Sequence, residues 1–147
     1  MEYTVEIINQ REDAFQLMWD HNREIGRALS DEELKRGIEK FIEKGNAIAV
    51  IQDGKIIAFS LLYCNDYDTL QAYICNVYVL EQYRRKHIAE TMMRKAIEIC
   101  KEKQFRSVHL HASESYAPAV ALYRKLGFSF ADGYRGADRE MILELDE

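Results

Sequence analysis

The sequence has little of what marks secreted, disordered or membrane-spanning proteins. Its 147 residues include three cysteines, one proline and seven glycines, so neither a disulfide scaffold nor a long disordered tract is predicted. No apolar run is long enough to cross a bilayer. The first residues also lack the basic and apolar segments of a secretion signal. These absences predict a cytoplasmic protein with no membrane partner.

The cysteines and the net charge bear on which intermediates and which partners are expected. Cys64, Cys75 and Cys100 each lie inside an apolar run, which indicates reduced, buried thiols and argues against an acyl-cysteine intermediate. The formal net charge of -5 disfavours nucleic acid as a partner, because phosphate binding needs a basic surface. A cationic amine would suit such a charge.

The hydrophobic pattern predicts one mixed α/β domain over residues 1–147. An Asp53-Gly54 turn joins two of the strands in a hairpin, and Ser30 and Glu33 form a capping box. Strands are predicted at Tyr3–Ile8, Ala47–Gln52, Lys55–Cys64, Gln71–Leu80, Val108–Ala112, Phe128–Tyr134 and Arg139–Leu145. Helices are predicted at Asp13–Arg27, from Ser30 to Gly45, at Ile88–Lys103, and in a segment that ends at Leu126.

The segment from Tyr83 to Ala89 carries the clearest chemical signal. A short loop of four basic residues, here called the basic loop (Arg84, Arg85, Lys86 and His87), connects a strand directly to a helix. Amide groups at a helix N-terminus, together with the helix dipole and added cations, favour phosphate binding. Basic residues between a strand and a helix are also often merely solvated, and the pattern alone leaves both interpretations open.

This segment resembles motif A of the GNAT superfamily, the acetyl-CoA-dependent N-acetyltransferases, whose loop runs Arg/Gln-x-x-Gly-x-Gly/Ala. Arg84 matches the first position and Ala89 the last, whereas His87 stands where the family usually has its first glycine. The resemblance implies that the loop amides hold the pyrophosphate of coenzyme A and that the preceding strand pairs with its pantetheine arm. The cofactor-binding residues implied in this way are Val77, Tyr78, Val79, Arg84, Arg85, Lys86, His87, Ile88 and Ala89.

A second segment, Ser113–Phe128, resembles motif B of the same family, Asn-x-x-Ala-x-x-Leu-Tyr-x-x-x-Gly-Phe. Ala119, Leu122, Tyr123, Gly127 and Phe128 match in register, and Tyr116 replaces the usual Asn. The resemblance implies that Tyr123 is the general acid that protonates the departing thiolate, and that a backbone N–H near Val77 faces the oxyanion. The alternative is a tyrosine that only fills space between helix and sheet.

No general base is assigned. Some family members have a glutamate on the strand before the loop, and the corresponding position here is Tyr73. The alternatives are Asp66, Asp68, Glu114 or a chain of water molecules. His109 and His111 share one strand face with a spacing that metals can use, but no third ligand is nearby. We therefore favour structural histidines packed under a helix.

The resemblance implies a GNAT-like fold, a mixed central β-sheet flanked by helices that splays where the cofactor enters. The implied function is direct acetyl transfer from acetyl-CoA, a co-substrate, to a primary amine of a small molecule or peptide, with no metal. A homodimer is left open. The alternatives are a non-catalytic domain that binds or senses coenzyme A, and a small α/β interaction module that binds none.

Overall fold

The computed structural model describes residues 2–8, 30, 32–33, 35–36, 39, 43 and 45–145. The helix predicted at Asp13–Arg27 lies outside them. In the segment 30–43, the described residues after Ser30 are helical. The predicted capping box is present, since the Ser30 amide donates to Glu33 Oε1 and the Glu33 amide to Ser30 Oγ, each at 3.1 Å.

Seven strands and two helices are defined over 2–8 and 45–145. The strands are β1 (Thr4–Ile7), β2 (Asn46–Gln52), β3 (Lys55–Tyr63), β4 (Gln71–Val79), β5 (Ser107–Ala112), β6 (Ser129–Arg135) and β7 (Asp138–Glu144). The helices are α1 (Ile88–Glu102) and α2 (Ala117–Lys125), and a 3₁₀ turn spans Glu81–Tyr83.

The strands form one mixed sheet in the order β1-β2-β3-β4-β5-β7-β6. Only β4 and β5 are parallel neighbours in this order, and α1 makes the crossover that a parallel connection requires. The other neighbouring pairs are antiparallel. The α/β sheet predicted from the sequence is therefore confirmed.

Two short turns have the backbone geometry that their residues favour. Asp53 and Gly54, between β2 and β3, have φ values of 51° and 76°, the pair of positive angles that a tight hairpin turn requires. Gly127 follows α2 with φ 105°, a conformation that ends a helix at low cost only in glycine.

Strand side chains alternate between the two faces of the sheet, and the central strands contribute buried residues to both faces. On one face, α1 contributes buried residues at a spacing of four, namely Ile88, Met92, Ala96 and Cys100, to the main core cluster. On the other face a second cluster forms around Phe59. Neither described helix is long and apolar enough to cross a bilayer.

The sheet opens at its centre. β4 and β5 pair at only three positions, Gln71–Ser107, Ala72–Val108 and Tyr73–His109, after which β4 continues to Val79 without β5 beside it. Just beyond the last pair, Ser60 opposes Val77 while Leu61 opposes Cys75, so Asn76 is an extra residue in β4.

An extra residue of this kind is a β-bulge, which bends its strand and increases the local twist. The bulge turns β4 away from β5, and the two strands diverge. We call the space between them the β4–β5 gap. The predicted splay of the sheet is thus present.

Ser60 provides a test of this core. Its hydroxyl is buried and has no hydrogen-bond partner among the described residues. A buried hydroxyl without a partner has lost its hydrogen bonds to water and has gained none within the protein. Ser60→Ala should therefore raise the free energy of unfolding by about 1 kcal/mol. For a chain of this size that raises Tm by about 2–4 °C in a thermal melt.

The matched control is Ser107→Ala. Ser107 is also buried, but its hydroxyl lies 2.8 Å from His109 Nε2, so its removal should lower the unfolding free energy by about 1 kcal/mol. Equal losses of stability in both variants would contradict the assignment of Ser60 as unpaired.

Candidate active site

The basic loop ends at a helix start whose amide groups are available. The first intrahelical hydrogen bond of α1 runs from the Thr91 amide to the His87 carbonyl oxygen at 3.1 Å. The amides of residues 88–90 precede this bond, so they have no intrahelical acceptor. Combined with the positive end of the helix dipole, they form an arrangement suited to an anion.

The basic loop has an unusual backbone conformation. Arg85 and His87 have φ values of 66° and 63°, in the left-handed region that favours glycine. His87, at the position of the glycine in the motif, has ψ 17° and a side chain that is 82% exposed. The histidine therefore adopts the backbone conformation for which glycine is usually needed, and its ring lies in solvent.

Arg84 connects the basic loop to the end of β4 by a hydrogen bond. Its Nε donates to the Val79 carbonyl oxygen at 2.8 Å, and its guanidinium carbon lies 5.7 Å from the centre of the Tyr78 ring. This contact holds the loop beside the β4–β5 gap. Arg85, Lys86 and His87 are also exposed, which concentrates positive charge at this end of the gap.

Glu90, in the first turn of α1, connects this helix to α2. Its Oε1 accepts from Lys125 Nζ at 2.9 Å and its Oε2 from Arg94 Nη2 at 2.8 Å. Lys125, followed by Arg94, holds the pKa of Glu90 at about 2. Because this pKa is lowered, the ion pairs are fully formed above the ordinary glutamate range and are lost as the pH falls towards 2.

The end of β4, which leads towards the basic loop, has two different faces. Val77 and Val79 are half-buried and pack towards the helix-covered core, whereas Tyr78 is buried on the other face against Phe59. From Ile74 onwards, the edge of β4 that faces the gap is not paired with β5. This edge can accept an extended ligand as an added strand.

Tyr123 lies on the helix-covered face. It projects from α2, is 8% exposed, and its ring centre lies 6.0 Å from that of Phe128. Burial, with a smaller effect of Tyr116, raises the pKa of Tyr123 to about 12. The phenol is therefore protonated at neutral pH and can act as a proton donor.

A tyrosine–histidine pair occupies the other face where β4 and β5 begin to diverge. The Tyr73 hydroxyl is hydrogen-bonded to His111 Nδ1, and their ring centres are 5.5 Å apart. Arg135 Nη1 donates to the Tyr73 hydroxyl at 3.4 Å. We call this arrangement the Tyr73–His111 pair.

The sequence did not identify this pair, although two signals pointed to its members. One was the count from the motif to Tyr73, and the other was the strand alternation that places His111 off the core. The two residues are 38 positions apart and meet only because β4 and β5 are parallel. Pattern within either strand could not predict the contact.

His109 is a structural histidine. Its Nε2 lies 2.8 Å from the Ser107 hydroxyl and its Nδ1 lies 3.1 Å from Glu140 Oε2. The prediction that both histidines pack under a helix is wrong for the two described helices. These helices cover the face of Val108 and Leu110, and alternation sends the histidines to the opposite face.

Within the described residues, no three His, Cys, Asp or Glu side chains group closely enough to hold a metal ion. The carboxylates considered as general bases have local partners. Asp66 Oδ1 accepts from the amides of Asp68 and Thr69, both at 3.2 Å. Glu114 contacts Tyr134 and Arg139, each at 3.2 Å.

The cysteines are free thiols. Cys64 and Cys100 are buried with their sulfurs 3.9 Å apart, and burial raises the pKa of both. A thiol with a raised pKa is a poor nucleophile. Cys75 is half-buried, so the prediction that all three thiols are buried is wrong for this one.

Comparison with known proteins gives the family and the fold. The sequence matches the profile of the acetyltransferase (GNAT) family over residues 11–128. It is also 38% identical, over 66 residues, to a Bacillus subtilis (strain 168) protein named "Putative ribosomal protein bS18-alanine N-acetyltransferase". That match covers 44% of this chain and 44% of the relative, so the chain spans less than half the relative's length.

Solved structures resemble the chain over nearly its whole length. The ribosomal-protein-S18-alanine N-acetyltransferase of Escherichia coli has a TM-score of 0.78 at 20% identity, covering 99% of this chain and 96% of that one. The PaiA N-acetyltransferase of Thermoplasma acidophilum, solved in complex with coenzyme A, has a TM-score of 0.72 at 18% identity, covering 99% and 100%. At such identities the likeness shows the fold.

The left-handed conformation of His87 generates a prediction. His87→Val should lower the unfolding free energy by about 1–2 kcal/mol, because a branched side chain is strained at positive φ. His87→Gly should keep the stability near that of the original chain. Urea unfolding measures both effects.

Lys86→Val is the matched control, since Lys86 is an exposed neighbour without a positive φ. It should change the unfolding free energy by no more than about 0.5 kcal/mol. If His87→Val lowered the unfolding free energy no more than Lys86→Val does, the left-handed conformation would not constrain the loop.

Proposed function

The chain belongs to the GNAT family of acetyltransferases, and we propose that it transfers the acetyl group of acetyl-CoA directly to a primary amine. The observation that carries this proposal is the β4–β5 gap. The basic loop lies at one end of β4, Tyr123 lies on one face of the sheet, and the Tyr73–His111 pair lies on the other. A thioester in the gap would have a proton donor on one side and a proton acceptor on the other.

Coenzyme A fits the first part of this arrangement. Its pyrophosphate would bind the amides of Arg85 to Ala89, with the cations of the basic loop around it. Its pantetheine arm would lie along β4 at Val77–Val79, beyond the last pair between β4 and β5. The Thermoplasma acidophilum N-acetyltransferase of similar fold was solved in complex with coenzyme A, which supports coenzyme A as the ligand.

Tyr123 is the proposed general acid. The amine nitrogen forms a bond to the thioester carbonyl carbon, the carbon–sulfur bond breaks, and the sulfur takes the phenolic proton. Tyr123 is suited to this role because its raised pKa keeps the proton on the oxygen until a thiolate develops beside it.

The Tyr73–His111 pair is the proposed base. The amine must lose a proton as it attacks, and the imidazole of His111 can accept it through the Tyr73 hydroxyl to which it is hydrogen-bonded. The pair lies at the closed end of the gap, on the face opposite Tyr123. An acceptor that enters from this face would reach the thioester without crossing the bound coenzyme A.

We propose the α-amine of a peptide or small molecule as the acceptor. The Bacillus subtilis and Escherichia coli relatives are both named for acetylation of an alanine of a ribosomal protein, which supports testing short peptides that begin with alanine. A cytoplasmic location is part of the proposal, since the free thiols are favoured in a reducing compartment.

Tyr123→Phe should lower kcat by about 100- to 10,000-fold, because removal of a general acid has effects of this size. Binding of coenzyme A should persist, since the ring and its packing are retained. Thiol release with a panel of amines measures the rate, and calorimetric titration with coenzyme A measures the binding.

Tyr116→Phe is the control for this substitution, because Tyr116 precedes the same helix with an exposed ring. It should retain the original rate. If Tyr123→Phe also retained it, Tyr123 would serve packing alone. Binding of coenzyme A without turnover of any amine by the unmodified chain would favour a sensing domain instead.

His111→Gln should lower kcat/KM by about 100- to 10,000-fold, because a glutamine side chain cannot accept the proton that leaves the amine. Tyr73→Phe should also lower kcat/KM.

His109→Gln is the matched control, since His109 shares the strand face but is bonded to Ser107 and Glu140. This variant should keep the kcat/KM of the original chain. A kcat/KM that fell in His109→Gln and not in His111→Gln would refute the assignment of the base.

A further inference from the structure

Charged side chains of both signs lie around the Tyr73–His111 pair. Two of the carboxylates have partners within the chain. Glu140 Oε2 is 3.1 Å from His109 Nδ1, and Glu114 Oε2 is 3.2 Å from Arg139 Nη1. Each of these two carboxylates is therefore engaged by a side chain of the β5 or β7 strand.

The two arginines of the β6–β7 hairpin play different parts. Arg139 is held on several sides. Its Nε donates to the Ala131 carbonyl oxygen at 2.7 Å, and its guanidinium carbon lies 4.9 Å from the centre of the Phe130 ring and 6.0 Å from that of Tyr134. These contacts stabilise the hairpin.

Arg135 is exposed, and the described residues offer it no carboxylate within ion-pair distance. Its hydrogen bond, 3.4 Å from Nη1 to the Tyr73 hydroxyl, uses one of the five N–H donors of the guanidinium. The remaining donors form a planar fork that matches a carboxylate.

We infer that the acceptor carries a carboxylate next to its reactive amine, and that Arg135 binds this carboxylate. The inference rests on the proposed function, in which the amine lies at the Tyr73–His111 pair. Because Arg135 contacts the Tyr73 hydroxyl itself, a group attached close to that amine lies within reach of the guanidinium. A second positive charge at the same place would be repelled.

This assignment replaces the cationic acceptor that the net charge suggested. Two of the acidic residues that contribute to this net charge serve local structure. Glu33 caps its helix through Ser30, and Asp66 closes the turn before β4. The amide and hydroxyl groups of Thr69, followed by the Asp68 amide, lower the pKa of Asp66, as expected of a carboxylate that accepts backbone hydrogen bonds.

The carboxylate could come from either of two sources. It is the α-carboxylate in a free amino acid, and it is an acidic side chain at the second position in a peptide. Both place a carboxylate a few bonds from the amine, and acceptor pairs that differ only in charge distinguish them. Alanine is compared with alaninamide, and an amidated Ala-Asp peptide with its Ala-Asn counterpart.

The experiment measures kcat/KM for these pairs with the full chain, Arg135→Gln and Arg106→Gln. At least one acidic acceptor should be preferred by roughly 10- to 100-fold, the range expected for a hydrogen bond to a charged group. The preference should lie mainly in KM and weaken as salt rises. Arg135→Gln should remove this preference, so that kcat/KM on the acidic acceptor falls to the level of the uncharged one.

Arg106→Gln is the matched control, because Arg106 is an exposed arginine just before β5, at the end opposite the β6–β7 turn. It should keep the preference. Equal rates on both members of both pairs would overturn the inference. So would an Arg135→Gln variant that loses kcat equally on acidic and uncharged acceptors, since that result assigns Arg135 to proton transfer through Tyr73.

Binding of the same compounds to the chain saturated with coenzyme A separates this inference from the proposed function. Carboxylate binding that depends on Arg135, without turnover, would refute the transferase and support the inference. Turnover without a carboxylate preference would refute the inference alone. Absence of both turnover and carboxylate-dependent binding would refute both.

Discussion

The arrangement of the site depends on how briefly β4 and β5 pair. Parallel strands that stayed paired would seal the centre of the sheet, and no ligand could enter it. Here the pairing stops at Tyr73–His109, and the extra residue at Asn76 bends β4 away. A backbone irregularity of one residue therefore lies where β4 and β5 separate.

The gap also places opposite chemical tasks on opposite faces of one sheet. Tyr123 comes from a helix on the covered face, where burial keeps its proton in place. Tyr73 and His111 lie on the other face, where an arginine and several polar side chains surround them. The contact of Glu90 with Lys125 joins the helix behind the basic loop to the helix that carries Tyr123. The helix behind the basic loop and the helix that carries Tyr123 are thus linked by a direct ion pair.

Much of the fold could be predicted from local pattern, because strand alternation, the Asp53-Gly54 turn and the spacing of Ile88 and Met92 are properties of short segments. The bulge at Asn76 could not be predicted in this way. It is a mismatch between β3 and β4, and β4 alone reads as one continuous apolar strand. The motifs indicated the basic loop and Tyr123, whereas the contacts among Tyr73, His111 and Arg135 depend on three strands meeting in the folded sheet.

The basic loop separates two requirements that a glycine normally satisfies together, a permitted torsion and a small volume. At His87 the torsion is needed, but the space is not, because the ring points into solvent. Any residue that tolerates the left-handed region, such as asparagine or aspartate, could in principle serve there. Members of this family that lack the glycine can therefore keep the geometry of the loop, and a sequence motif that demands glycine at this position would overlook them.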